Sequence, residues 1–474
     1  MPKTFVLSLC LAATAAAQVS AQPTSTTVSA AVEAALVQNP EVRRAREQID
    51  EFDLRVRAVR ADAMPSLELT GAAQRTRDPG LRNSPFFSRL GGDEPLPPGA
   101  LSTFYFGTYF YQVALEQPLY HFGRVGHALE AARQESDGVR ADVRMVENRV
   151  AFDVARAYYD LQLARGRRRV LESERQARER QMQQVRDQLE LGEATRLDEL
   201  QAEVALANLR PEVIAADSEI RVALTRLNET LGRPPLEPFE PAGALDFNPS
   251  LSTLPDVDGL LRVAAEHRPE LQRFQLNRRF LEEAEGVIRS DTLPEISARA
   301  TLGINSFQPD NLVRPAFHSW TVGVNVRWTL FDGNRTSATV GQYRSQRRQS
   351  LLEQEAFLAR LARDLELASG EWRRAVETVE VAGLAVDQAG ETRRVAEELF
   401  SLGAATFLDV LDSERALRQA ELVRLQAYHL ALSSLAQIKT LVGLRPDEPD
   451  ASLVAEADRP DDTTAAIVAA LWPQ

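Results

Sequence analysis

Apolar and polar residues alternate strictly along one stretch in the second half of the chain. Every second residue there is apolar, with tryptophans near both ends: Trp320, Val322, Val324, Val326, Trp328 and Leu330. This period of two predicts a strand, and its length and flanking aromatic residues are typical of a strand whose apolar side faces lipid. A half-buried strand of a soluble sandwich has the same alternation, so the pattern alone leaves both interpretations open.

Three further segments alternate more weakly, and together they predict four strands, at residues 66–75, 103–119, 295–305 and 318–331. A loop rich in glycine and proline, roughly Arg77 to Ser102, separates the first two strands. β-Barrels of the outer membrane carry their long loops on the extracellular side, which is where this loop is expected.

Helical periodicity covers most of the remaining chain. The segments 124–191 and 335–402 contain no proline, and each carries an apolar seam with steps of three and four, as at Val146, Val150 and Val154. A helix of this length extends about 100 Å. It needs neighbouring helices to cover its seam, which predicts a coiled-coil-like array.

Shorter helices accompany the long ones, at residues 29–64, 196–232, 259–293 and 407–443. The first and third are each interrupted before a proline, Pro40 or Pro269, and proline suits the first turn of a new helix. Pro211 lies inside the second, where it predicts a kink.

The two halves of the chain are copies of one unit. The motif that begins at Gly192 recurs 211 positions later at Gly403, and both copies read Gly-x-Ala-Thr-x-Leu-Asp-x-Leu. The glycine can close one helix in a left-handed conformation, and the threonine can cap the next helix. Each motif therefore predicts the tip of a helical hairpin, at residues 192–195 and 403–406.

This duplication predicts the organisation of the chain. The first repeat covers residues 22–232 and the second covers 259–443. A linker at 233–258 joins them, and an acidic segment at 444–474 follows.

Composition narrows the class of protein. A basic start, a short apolar run and small residues predict a signal peptide at residues 1–21. The only cysteine, Cys10, lies in that run, and the bulky Leu9 before it disfavours lipid attachment. A formal net charge of −13 argues against nucleic acid as a partner. The five histidines are scattered and no nucleotide-binding or nucleophile motif is present, so no enzyme activity, cofactor or metal site is predicted.

Four strands cannot close a barrel, and open sheet edges are not viable in lipid. If these strands lie in a membrane, the chain must therefore assemble with copies of itself. Three copies supply twelve strands, which is within the range of outer-membrane barrels.

The two tips, the Asn39-Pro40-Glu41 break, the strand pairs and the long helices resemble the outer membrane efflux protein family of TolC-like channels. The resemblance implies an α+β membrane protein with two tandem repeats per chain. It implies a homotrimeric 12-stranded β-barrel in the outer membrane of a Gram-negative bacterium, a long periplasmic α-helical coiled-coil barrel and a mixed equatorial domain.

The same resemblance implies a passive exit duct of a tripartite efflux pump for drugs or other small molecules. Its partners would be further copies of the chain, a periplasmic adaptor, an inner-membrane transporter and outer-membrane lipid. The outer-membrane component of a type I protein secretion system is one alternative. A soluble periplasmic coiled-coil adaptor or tether is an alternative of another class.

The resemblance also implies roles at the tips. Family members close the periplasmic end with carboxylates six and nine residues after the second glycine, which here are Asp409 and Asp412, and Phe400 joins them in the predicted aperture. The alternative for Asp409 is an acid that complements the dipole of its helix. Adaptor docking is assigned to Gly192, Thr195, Leu197, Asp198, Gly403, Thr406 and Leu408. The family's latch arginine and tyrosine are replaced by Ala405 and Phe400, so the latch is absent or rebuilt with Arg196 or Glu193.

Overall fold

The computed structural model of the chain describes residues 25–76, 106–192, 194–247 and 254–449, together with Leu453. The predicted signal peptide, the loop at 77–102 and Glu193 lie outside the described residues, as do parts of the linker and of the C-terminal segment. Among the helices that are described, none has an apolar stretch long enough to cross a membrane.

The elements follow the same order in both repeats. The first repeat contains α1 (Val28–Gln38), α2 (Pro40–Ala61), β1 (Ser66–Thr76), β2 (Phe106–Tyr120), α3 (Arg124–Leu191) and α4 (Arg196–Leu231). The second contains α5 (Val257–His267), α6 (Pro269–Ser290), β3 (Glu295–Ser306), β4 (His318–Arg327), α7 (Arg335–Ser401) and α8 (Phe407–Leu441). Two short 3-10 turns, Pro309–Val313 and Pro315–Phe317, connect β3 to β4.

The break between α1 and α2 is built around Asn39. Its side-chain oxygen accepts a hydrogen bond from the backbone N–H of Glu41 at 2.7 Å, and its amide donates to the carbonyl of Thr230 at 2.8 Å. Because Pro40 has no N–H, it starts α2 without leaving a donor unpaired. Pro211, unlike Pro40, does not start a new helix, because α4 continues through it as one helix.

Several predicted helix bounds differ from those of the observed helices. Helices predicted to end at residues 64, 232, 293, 402 and 443 end at Ala61, Leu231, Ser290, Ser401 and Leu441, and the helix predicted from 259 begins at Val257. Gly232, for example, has a φ of 74° and forms the C-cap of α4. This left-handed conformation ends a helix rather than continuing it.

The predicted strand at 318–331 is also too long. Strand β4 ends at Arg327, whose partner Glu295 is the first residue of β3, so the ladder has no partner beyond it. Trp328, predicted as a lipid-facing strand residue, therefore lies outside the strand. Its indole N–H donates to the carbonyl of Thr292 at 3.1 Å.

The strands form one antiparallel sheet in the order β1-β2-β3-β4. Leu69 of β1 is paired with Val113 of β2, which is paired with Leu302 of β3, which is paired with Trp320 of β4. Paired residues of antiparallel strands share a face. The register therefore places these four side chains on one side of the sheet.

The chain divides into two compact units, and each unit draws on both repeats. The tip unit contains the described residues within Met1–Val42, Glu147–Ala264 and Arg363–Pro460. The strand unit contains those within Arg43–Val146 and Ala265–Ala362. The duplicated repeats are thus interleaved and do not fold as one compact unit each.

The predicted seams form the core of the tip unit. Buried residues of the seams are Val154, Ala157 and Leu161 in α3 and, 211 positions later, Leu365, Ala368 and Trp372 in α7. Equivalent positions of the two copies are therefore buried in the same way.

The strand unit contains a close contact between α3 and α6. Nδ1 of His127 lies 2.7 Å from Oε2 of Glu283, and the His127 ring lies directly over Gly286. A Cβ atom on residue 286 would approach the ring to 2.7 Å. The absence of a side chain at this position is what allows His127 to reach Glu283.

We expect Gly286→Ala to destabilise the protein by about 1–3 kcal/mol, because the methyl group would displace the His127 ring. Thermal or urea unfolding of the purified protein measures the change. Gly341→Ala in α7 is the matched control, since a Cβ there meets nothing within 4 Å. That control should stabilise the protein by roughly 0.5–1 kcal/mol. Changes of the same sign in both variants would contradict the prediction.

Candidate functional site

One face of the sheet is mainly apolar, and the opposite face carries most of the polar side chains together with Ala72, Phe110 and Ala114. The apolar face carries Leu67, Leu69, Val113, Leu115, Ile296, Ala298, Ala300, Leu302, Trp320, Val322, Val324 and Val326. The polar face carries Glu68, Thr70, Gln112, Glu116, Ser297, Arg299, Thr301, Thr321 and Asn325. Gln117 is an exception on the apolar face, and its amide donates to the carbonyl of Ala63 at 3.1 Å.

The apolar face is open to its surroundings in the single chain. Trp320 is 75% exposed and Val324 is 63% exposed, values unusual for large apolar side chains with apolar neighbours on the same face. Strands β1 and β4 each pair on one side only within the described chain, so both edges offer backbone hydrogen-bonding groups. A contiguous apolar face with open edges marks a surface that something else covers.

The structure brings four of the five predicted lipid-facing residues together. Trp320, Val322, Val324 and Val326 alternate along β4 on the apolar face. Trp328 does not join them, because it lies beyond the end of β4.

The first tip is a capped turn between α3 and α4. Gly192 has a φ of 79°, and its N–H donates to the carbonyl of Leu189 at 3.1 Å. Thr195 is the N-cap of α4, and its hydroxyl accepts from the N–H of Asp198. The Asp198 carboxylate accepts in return from the Thr195 N–H at 2.9 Å and from its hydroxyl at 2.6 Å, which completes a capping box.

The second tip repeats this geometry between α7 and α8. Gly403 has a φ of 73°, and Thr406 caps α8. The Asp409 carboxylate accepts from the Thr406 N–H at 2.8 Å and from its hydroxyl at 2.6 Å. These hydrogen bonds from Thr406 hold the pKa of Asp409 below its ordinary value of 3.8.

Asp412 has a different environment from Asp409. It lies one turn further along α8, is exposed, and accepts from Nη1 of Arg415 at 2.9 Å. Asp409 therefore has a capping role within its own chain, whereas the contact of Asp412 is an exposed pair of the kind that contributes little to stability.

The two tips pack against each other through a small apolar core within the tip unit. Its members are Val185, Ala202, Ala205, Phe407 and Leu411, with Met182, Ala194 and Phe400 packed against them. The ring centroids of Phe400 and Phe407 lie 5.8 Å apart. Phe400, predicted as an aperture residue, is thus a packing residue that joins the end of α7 to the start of α8.

Leucines at the tips remain exposed in both copies. Leu191 and Leu402 occupy equivalent positions at the helix ends, and Leu197 and Leu408 occupy equivalent positions in the first turns of α4 and α8. Each pair is separated by the 211 residues of the duplication. The two tips therefore present matching apolar side chains.

Ion pairs connect α3 to α4 at the first tip. Arg186 of α3 donates to Glu199 at 3.3 Å and to Glu203 at 2.8 Å, both on α4. Arg196 donates to Glu199 within α4. The resemblance points to Arg196 for a rebuilt latch, whereas the side chain that joins α3 to α4 is that of Arg186, which lies within two helical turns of the tip glycine in the sequence.

Comparisons with known proteins extend over most of the chain. It is 23% identical to nodulation protein T of Rhizobium leguminosarum bv. trifolii over 83% of this chain and 80% of that protein. It is 22% identical to the alkaline protease secretion protein AprF of Pseudomonas aeruginosa over 74% of this chain and 72% of that protein. The solved structure of CusC, a protein that forms a transmembrane channel, superposes with a TM-score of 0.71 at 20% identity, covering 89% of this chain and 93% of that one.

The sequence profile described as outer membrane efflux protein matches the chain twice. The matched residues are 31–233 and 260–444, one match for each predicted repeat. The duplication of the chain agrees with the two matches, and its fold agrees with that of the CusC channel. The chain belongs to the outer membrane efflux protein family.

Proposed function

We propose that the protein is the outer-membrane exit duct of a tripartite efflux pump, carrying drugs or other small molecules. The observation that carries the proposal is the sheet register, which collects most of the large apolar residues on one face and most of the polar residues on the other. In a membrane, the apolar face would contact lipid and the polar face would line an aqueous passage.

The open edges of the sheet supply the route to a closed barrel. Strand β1 of one copy pairs with β4 of the next, which satisfies the backbone groups that lipid cannot satisfy. Three copies then form a homotrimeric 12-stranded barrel. The long helices α3 and α7 with their partners form the periplasmic helical barrel of the assembly, and a mixed equatorial domain surrounds it.

The tips are the docking surface for a periplasmic adaptor, which connects the duct to an inner-membrane transporter. The exposed leucines Leu197 and Leu408 provide apolar contacts in both copies. Gly192, Thr195 and Asp198 hold the first turn in shape, and Gly403, Thr406 and Asp409 do the same at the second.

The second tip also forms the periplasmic aperture. Asp409 and Asp412 contribute carboxylates around the three-fold axis, and rings of carboxylate favour cations. Phe400 takes part by fixing the position of α8 through Phe407.

The purified full-length protein tests the proposal. We expect a heat-modifiable trimer in outer-membrane fractions and discrete conductance steps in planar lipid bilayers. A monomer that stays in solution without detergent and produces no conductance would contradict the duct. That result would instead support a soluble periplasmic adaptor.

The similarity to AprF supports a second candidate, the outer-membrane component of a type I protein secretion system. Deletion of the gene distinguishes the two. Increased sensitivity to several classes of drugs or metals supports efflux, whereas loss of a secreted protein from the culture medium with unchanged drug sensitivity supports secretion.

A further inference from the structure

The two helical hairpins differ in charge at one pair of equivalent positions. In the first, Arg186 of α3 pairs with Glu203 of α4 at 2.8 Å. The positions 211 residues later hold Glu397 of α7 and Glu414 of α8. The second hairpin therefore holds two carboxylates where the first holds an ion pair.

Glu414 is buried, while its counterpart Glu203 is only half-buried. Its side chain is 6% exposed, and Oε2 accepts no hydrogen bond from any described residue. Among the described residues, the cation that pairs with Glu414 is Arg178 of α3, whose Nε lies 3.9 Å from Oε2. Arg178 forms a closer ion pair with Glu174, at 2.7 Å, so its electrostatic stabilisation of the Glu414 carboxylate is weaker.

The groups around Glu414 come from four helices. Glu174 and Arg178 act on it from α3, and Arg393 and Glu397, which pair with each other at 3.5 Å, act on it from α7. Arg418 of α8 bridges Glu174 at 3.0 Å and Glu212 of α4 at 3.3 Å. A cavity of about 140 Å³ lies among these groups and is lined by Glu174, Arg393, Glu414, Arg418 and Glu421.

A buried carboxylate without a close partner favours the neutral form, because ionisation leaves an uncompensated charge in a medium of low dielectric constant. Burial raises the pKa of Glu414 above its ordinary value of 4.5, and repulsion from Glu174 and Glu397 acts in the same direction. Arg178 and Arg393 oppose this shift.

We propose that Glu414 is a proton-operated latch of the second hairpin. The neutral side chain lets α8 pack against α3 and α7, and ionisation sets Glu414 against the carboxylates of Glu174 and Glu397 and loosens that packing. The latch deepens the proposed function, since the hairpin it controls carries the aperture carboxylates.

The sign of the pH dependence follows from linkage. A group whose pKa is raised by folding contributes stability that is full below its ordinary pKa and is lost as the pH rises through the raised value. For Glu414 this loss begins above pH 4.5. Asp142, Asp153 and Glu421 also have pKa values raised by burial, so the test compares variants at each pH.

The test measures thermal unfolding of the purified full-length protein in detergent at about pH 5 and about pH 8. We expect Glu414→Gln to raise the melting midpoint by about 2–4 °C at the higher pH and to change it little at the lower pH. Glu380→Gln, at an exposed position of α7, is the matched control and should leave both midpoints unchanged. A lower midpoint for Glu414→Gln at the higher pH, or an unchanged pH dependence, overturns the latch.

A second variant restores the charge pattern of the first hairpin. Glu397→Arg places a cation opposite Glu414, as Arg186 lies opposite Glu203, and should also raise the midpoint at the higher pH. Failure to do so contradicts the proposed repulsion even if Glu414→Gln folds poorly. Conductance of the same samples tests the duct separately. A protein that conducts but shows no change in pH-dependent stability in the variants would disprove the latch and leave the duct intact.

Discussion

Val324→Arg is expected to abolish assembly of the protein in the outer membrane. Val324 lies in the middle part of β4 on the apolar face, beside Ala298 of β3. A positive charge facing lipid near the middle of the bilayer costs roughly 2–4 kcal/mol, and a trimer would carry three such charges. The trimer band should therefore disappear from outer-membrane fractions, and the chain should accumulate as degraded or aggregated material.

Asn325→Arg is the matched control for this prediction. It places the same charge one residue further along the same strand, but on the polar face. If that face lines an aqueous passage, the trimer should form in normal amounts, with a changed conductance. Export and folding of Val324→Arg at the level of the control would mean that the strand does not face lipid and would favour the soluble adaptor.

Elements with local signals were predictable from the sequence. Helix α3 runs from Arg124 to Leu191, with the bounds expected from the proline-free segment. Both tip threonines cap the helices they were expected to cap, Thr195 for α4 and Thr406 for α8. Caps and helix breaks depend on the conformations of a few consecutive residues, and the sequence contains those directly.

Features that depend on residues distant in the sequence were harder to predict. The alternation of residues continues to Leu330, yet β4 ends at Arg327 because the paired strand begins at Glu295. The alternation of apolar and polar residues along one strand does not indicate where its partner strand begins. The division into two compact units that mix both repeats was likewise not visible in the duplication.

The candidate site shows the same distinction. The resemblance assigns Asp409 to the aperture, and its contacts with Thr406 follow from the spacing of three residues that defines a capping box. Phe400 was assigned there as well, but its packing on Phe407 depends on how two helices meet. The change from Arg186 and Glu203 to Glu397 and Glu414 was present in the aligned copies. Its significance required the burial of Glu414, which only the structure provides.

Replacing both tip carboxylates, Asp409→Asn with Asp412→Asn, is expected to remove most of the cation selectivity of the channel. Asparagine is preferred to alanine at residue 409 because it keeps an oxygen that can accept from the Thr406 N–H. Loss of a helix cap costs about 1 kcal/mol, and an alanine variant would mix that effect with the loss of charge. Reversal potentials across a planar bilayer with a salt gradient measure the selectivity, and blockade by multivalent cations should weaken several-fold.

The pH dependence of the unmodified channel provides an independent check. Hydrogen bonds from Thr406 lower the pKa of Asp409, so this carboxylate stays ionised until the pH falls below its ordinary value of 3.8. A group with a lowered pKa keeps its charge, and the stability linked to that charge, above this value and loses both as the pH falls through the lowered pKa. Crowding of like charges in the proposed rings acts in the opposite direction, so cation selectivity should decline once the pH enters the acidic range in which these carboxylates bind protons.

Asp198→Asn is the matched control for the tip carboxylates, because Asp198 closes the same capping box in the first tip. If the aperture belongs to the second tip, this control keeps the selectivity of the unmodified channel while the double variant loses it. Equal losses in both would place the carboxylates of the two tips around the same opening. Unchanged selectivity in the double variant would exclude Asp409 and Asp412 from the aperture and leave Asp409 with its capping role alone, since the hydrogen bonds of that cap are complete within one chain.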